Sequence, residues 1–344
     1  MTGRTCTAAL MLTALITLLS LQGCRKELCY DHDHWKVNVV ADWDLAWERD
    51  YGRTWESVWD CPGGFEYDSL RPVPGTGIAV LAYNADSTWS ERHLEAGGGV
   101  LPLGEGRHSL LFYNDNTEYI VFSFMDSYAE ASASTRTRTR STYTDRHGDE
   151  STVNSPDMLF GAWIEDFVTD FSPDARPIDL PVTLKPLVFK YVIVYEFSEG
   201  IEYVRLARGA MAGMARSVYL RDGSTGPEKA TVLFDETTID KEHSMVTAVI
   251  STFGVPDYPD KYYPAKAPDE VVGDFGLNLE VMLPNGGLKN FEFDISQQMA
   301  DQPRGGVIRV SGIRIDDSDF PSAGGGFDVD VDGWGDYEDI ELPL

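Results

Sequence analysis

Apolar residues in this chain recur at every second position more often than at helical spacing. The first clear case is Trp35, Val37, Val39, Ala41, Trp43, Leu45 and Trp47, all odd-numbered. Lys36, Asn38, Asp42, Asp44 and Glu48 lie between them, with Val40 and Ala46 as exceptions. Period two over thirteen residues predicts one long strand with a buried face and a wet face. Three indoles give that face a large apolar area to bury. Further strands are predicted at Gly77–Tyr83, His108–Tyr113, Glu118–Met125, Val182–Phe197, Ser217–Leu220, Thr231–Phe234, Val246–Phe253, Leu277–Leu283, Phe291–Ile295 and Val307–Ile315. Pro284-Asn285-Gly286-Gly287 supplies a turn after the alternating Leu277, Leu279, Val281 and Leu283, so a hairpin to Leu288–Ile295 is expected. Helix is scarce: Glu202–Met214 is a short candidate weakened by its glycines. Tyr128–Pro156 has no periodic apolar face and reads as a polar surface loop, notable for Arg136, Arg138, Arg140 and Arg146.

The N-terminus breaks the alternation in a different way. Arg4 precedes an apolar run from Ala8 to Leu21, long enough for a signal-peptide core and shorter than the roughly 20 residues of a membrane span. Leu21-Gln22-Gly23-Cys24 follows. This resembles the lipobox of bacterial lipoproteins, with Gln22 departing from the usual small residue. The expectation is cleavage before Cys24 and lipid on its thiol, the protein's attachment to a membrane. Loss of residues 1–23 removes Arg4 and no acid, so the net charge moves from −28 to −29. A charge of that sign excludes the basic footprint that nucleic-acid binding needs. Cys6 leaves with the signal, and Cys29 and Cys61 remain. An oxidising compartment favours a disulfide between them over two separate thiols.

The segment FSPDARP, near Asp170–Arg176, separates two strand-rich halves. The division read from the sequence is therefore a signal peptide at 1–23, a lipidated tether at 24–34, and β-sandwich domains at 35–176 and 177–344.

Several stretches resemble the fimbrillin superfamily of Bacteroidetes-type bacteria, in particular fimbrillin-like lipoproteins. They include Leu28-Cys29-Tyr30-Asp31-His32, Asp42-Trp43 with Trp47-Glu48, and LLFYNDNTEY within Gly104–Glu118. Ser155-Pro156-Asp157-Met158-Leu159, ARGAMAGMARSVYLRDG and the closing GGFDVDVDGWGDYEDIEL add to the match. The resemblance implies an all-β fold of two tandem transthyretin-like β-sandwich domains after a cleaved lipoprotein signal peptide. It implies a surface-exposed outer-membrane protein acting as a fimbrial subunit, anchor or adhesion component. In that family a protease cutting after arginine or lysine removes the first strand, and a neighbouring subunit's strand fills the groove. Arg49 and Arg53 lie just beyond the expected first strand and are the candidate processing sites. The competing expectation is that the strand stays, held by lipid and the Cys29–Cys61 bond.

Signs of other chemistry are sparse. Asp328, Asp330, Asp332, Gly333, Asp336 and Asp339 fall at positions 1, 3, 5, 6, 9 and 12 of a calcium loop. Position 12 is Asp rather than Glu, and Phe327, Val329 and Val331 alternate as in a half-buried strand, so the strand is the expectation and calcium the alternative. Asp31-His32-Asp33-His34 lacks a second cluster to complete a metal site. No Gly-x-Ser-x-Gly, HExxH or phosphate-binding glycine loop is present, and an enzyme is not expected. The alternative function is a glycan-binding surface lipoprotein for polysaccharide capture; Trp55, Trp59, Trp89, Trp163 and Trp334 are expected to be buried, with exposed stacking platforms the alternative.

Overall fold

The computed structural model describes residues 35–50, 55–139, 147–170, 178–265 and 273–319. It is all-β, as the alternation predicts. Seven strands form a ring in the order β1-β10-β9-β5-β2-β3-β4. In chain order these are β1 (Trp35–Trp43), β2 (Gly77–Asn84), β3 (Trp89–Glu95), β4 (Gly98–Leu103), β5 (Gly106–Asn114), β9 (Phe160–Thr169) and β10 (Ile178–Pro186). The ring is pinched at two corners. β3 meets β4 at one rung, Glu95 with Gly98, and β9 meets β10 at two. Elsewhere the ladders run six or seven residues, so the ring is a flattened sandwich around Val37, Val39, Ile78, Val80, Leu110, Phe112 and their neighbours.

A three-stranded sheet covers the outer face of β2 and β5. It consists of β6 (Ile120–Ser123), β7 (Ser132–Thr135) and β13 (Ser217–Tyr219), packed over Ala79, Leu81, Leu111 and Tyr113. β2 is thus buried on both faces, which explains its unbroken apolar run IAVLAY.

The second half stacks two sheets. One has the order β15-β16-β11-β19: β15 (Thr238–Asp240), β16 (Met245–Thr252), β11 (Phe189–Glu199) and β19 (Gly306–Arg314). The other has the order β18-β17-β12-β14-β8: β18 (Leu288–Asp294), β17 (Gly276–Met282), β12 (Leu206–Ala215), β14 (Lys229–Phe234) and β8 (Ser151–Asn154). Tyr191, Ile193, Tyr195, Met211, Leu277 and Leu279 are central to the shared core. The β17–β18 hairpin forms around Pro284–Gly287 as expected.

Several sequence expectations are corrected here. The apolar run Val182–Phe197 is two strands, β10 and β11, because Leu187 and Val188 carry the chain from the first set of sheets to the second. β10 lies beyond the expected division at 176/177, yet by its pairing it belongs to the seven-stranded ring. Glu202–Met214 is a short 3-10 turn (Ile201–Tyr203) followed by β12 rather than a helix. Its small residues serve close sheet packing: a Cβ on Gly209 would lie 2.1 Å from the Phe234 ring. Tyr128–Pro156 is not wholly loop, since β7 and β8 lie in it and Arg138 pairs with Asp235. β8 adds to β14 in parallel, so the first half of the sequence contributes a strand to the second half's sheet.

Candidate functional site

The first strand and its continuation are the centre of the functional question. β1 lies between two neighbours, parallel to β10 over Val37–Trp43 and antiparallel to β4 over Trp35–Val40. Val37 and Val39 are buried in the sandwich core. β4 approaches closely because residue 98 is glycine. Its φ is 105°, and a Cβ there would meet the Val39 carbonyl at 2.1 Å. Trp43 ends the strand half-buried, edge-on to Phe160 at 5.1 Å, with its indole N–H donating to the Ala96 carbonyl at 2.9 Å.

The expected thirteen-residue strand stops there. Asp44 still donates its N–H to Leu184, but its carboxylate accepts from Ala46 N–H at 3.1 Å and from Arg49 at 2.5 Å. That local turn lifts the chain off the sandwich. Trp47 then enters a different core, fully buried against Leu70, Val192, Val194 and Val307. Trp59 and Tyr67 surround it at 5.5 and 5.2 Å between ring centroids. Period two continued through residues 44–46 in sequence but not in structure. Trp43 and Trp47 therefore do not share the groove that the alternation predicts, and the side chain of Trp35 lies outside the described residues.

Backbone bonds fix the continuation as firmly as its indole. The Trp47 carbonyl accepts from Lys190 N–H at 3.0 Å, and Arg49 N–H donates to the Arg304 carbonyl at 2.7 Å. Glu48 is buried and accepts from Tyr67 hydroxyl at 3.0 Å and Trp55 N–H at 3.2 Å. Burial outweighs those bonds and raises its carboxyl above the ordinary range, while the Tyr67 hydroxyl is raised by its own burial and by Glu48. Burial pushes Asp44 upward too, but there the Arg49 and Ala46 bonds win and the carboxyl is held below its usual value.

Of the candidate processing residues, Arg49 has a half-buried side chain paired with Asp44 and a backbone bridged to Arg304. Arg53 lies outside the described residues, as do Cys24, Cys29 and the aspartates 328, 330, 332, 336 and 339. Asp31-His32-Asp33-His34 lies outside them too. Cys61 is exposed, with no disulfide partner among the described residues. Among the described residues no cluster of three His, Cys, Asp or Glu side chains is placed to hold a metal ion. Nor is any helix among them long and apolar enough to cross a membrane. Of the tryptophans offered as sugar platforms, Trp55 and Trp59 pack around Trp47, Trp163 is half-buried, Trp89 is 43% exposed on β3, and Trp334 lies outside the described residues. Sequence reading missed β3, β4, β9 and β15. It also missed Arg304, which stacks 4.0 Å from the Tyr258 ring centroid while its carbonyl holds Arg49.

Residues 70–235 match the model of a domain of unknown function, DUF5119. The chain is 25% identical to the Bacteroides ovatus protein "Putative fimbrium anchoring subunit Fim4B", over 97% of each chain. Its fold is similar to the crystal structure of "a putative adhesin from Bacteroides ovatus", with a TM-score of 0.56 at 20% identity. That match covers 86% of this chain and 97% of the other. These similarities agree with the fimbrillin-like resemblance read from the sequence.

Proposed function

We propose that this protein is a cell-surface fimbrial component of the anchoring kind, which keeps its first strand in place. The observation that carries the reading is the double fixation of residues 37–49. β1 is an inner strand of the sandwich, and Trp47 with Arg49 is built into the other half. Removing the chain up to Arg49 would require withdrawing the fully buried Trp47 indole from a second core, in addition to opening the two ladders of β1. The full-length similarity to a protein named as a fimbrium anchoring subunit supports the same reading. In this scheme lipid on Cys24 tethers the chain to the outer membrane, and its body contacts other fimbrial subunits.

Limited digestion of the folded protein with an arginine-specific protease tests it, followed by mass spectrometry under native and denaturing conditions. The expected result is no cut after Arg49, with residues 37–49 remaining in the native mass even if the chain is nicked after Arg53. Surface fibres containing copies of this chain that begin after either arginine, with the first strand gone, would overturn the reading.

A further inference from the structure

β10 pairs along one edge and leaves most of the other open. Against β1 it pairs over seven residues, Ile178–Leu184. Against β9 it pairs only through Lys185 with Gly161 and Pro186 with Phe160. Continued, that antiparallel ladder would bring Thr183 opposite Trp163 and Pro181 opposite Glu165. Neither pair forms among the described residues. Two features account for the divergence. Pro181 has no N–H to donate. β9 also carries a register shift between its pairings with Leu110 and His108, at Glu165-Asp166, and such a bulge bends a strand away from its neighbour. A cleft of about 340 Å³ opens between the two strands, lined by Ala162, Trp163, Ile164, Pro181, Val182 and Thr183.

The cleft has the properties of an unfilled strand position. The Leu184 carbonyl accepts Asp44 N–H on the β1 side at 2.9 Å. Alternation along a strand turns the backbone groups of Thr183 and Pro181 the opposite way, toward β9. Ile164, Phe167 and Leu180 pack against the sandwich core yet remain only partly buried. At the wide end Val168 is 58% and Ile178 42% exposed. At the narrow end Lys185 is an exposed cation in a chain of net charge −28.

We propose that this seam accepts an extended strand from a second fimbrial polypeptide, by β-augmentation on both exposed edges. The identity of the partner rests on the fimbrial reading above; the seam itself does not. Apolar side chains alternating with polar ones would cover Ile164, Phe167 and Leu180, and an acidic residue would meet Lys185. Filling the β1 groove requires loss of β1, whereas this seam requires no loss. A component that keeps its first strand thereby still has a place to receive a neighbour.

The test begins with a fluorescent decapeptide of alternating valine and threonine, carrying aspartate at both ends, titrated onto the intact folded protein. Saturable binding is expected. Thr183→Pro removes the N–H facing the seam and leaves the Leu184 bond to β1, and should weaken binding about tenfold. Lys185→Glu should weaken it about threefold and blunt its salt dependence. It decides the matter if the proline variant fails to fold. In parallel, a photo-cross-linking residue at position 183 of the full chain on cells should yield an adduct with a fimbrial polypeptide. No peptide binding, binding unchanged in the variants, or adducts confined to the chain itself would overturn the seam. Variant-sensitive peptide binding with cellular adducts only to a non-fimbrial protein would keep the seam and overturn the fimbrial partner.

Discussion

Trp43 and Trp47 are four residues apart, in phase on one alternating stretch, and are held in different ways. Trp43 closes the sandwich from its rim, half in solvent, with its indole N–H satisfied by Ala96. Trp47 sits at 0% exposure in the second half, and its indole N–H has no hydrogen-bond partner among the described residues. Burying that group unpaired costs free energy, offset by the packing of a whole indole among Leu70, Val192, Val307 and two aromatic rings. The contrast shows that equal periodicity does not mean equal environment. The Asp44 turn assigns each indole to its own core.

The contrast can be broken most forcefully at Trp47. Trp47→Ala should cost about 3–5 kcal/mol, measured by urea denaturation, and should free residues 44–49 to protease before the sandwich unfolds. Gly98→Ala acts on the β1 side alone. Its positive φ and the Val39 carbonyl in its path should cost about 1–3 kcal/mol and loosen the β1–β4 ladder in hydrogen exchange. Trp43→Phe keeps most of the rim contact and loses one hydrogen bond, so about 1 kcal/mol is expected.

Glu48→Gln sharpens the comparison with the smallest effect. The folded-state carboxyl of Glu48 lies above its ordinary value, so it holds its proton longer in the folded than in the unfolded chain. Its contribution is therefore fully present below the unfolded value and is lost as pH rises through the raised folded value. The variant should be more stable than the parent at pH 7, by about 1 kcal/mol or less, and equal to it below pH 4.5. Melting curves at the two pH values decide this; a variant less stable at pH 7 would mean the charged form is favoured where it sits.

Much of the fold was legible where one face of a strand is buried. β16 and β19 keep a partly exposed face, whereas β2, β5 and β17 are marked by apolar residues and are buried on both faces over most of their length. β3 was not legible because almost all of it is exposed, so no apolar period marks it. β9 was hidden by the Glu165-Asp166 bulge, which breaks its phase midway. The same irregularity makes the seam with β10, so the feature that concealed the strand also created the cleft. The first strand was found, but its end was not. A turn made by one aspartate side chain leaves no periodic trace in the sequence.

The parallel pairing of β1 with β10 also sets an order of events in time. Val37 faces Ile178 and Trp43 faces Leu184, a separation of 141 residues along the chain. The first strand must therefore wait for a segment 141 residues further along the chain before its second edge is covered. Until β10 arrives, an apolar strand that holds two tryptophans, Trp35 and Trp43, has at most its β4 edge paired. Closing so long a loop is slow as well as late. Any factor that holds the unfolded chain would find its natural target in residues 35–47 during that interval.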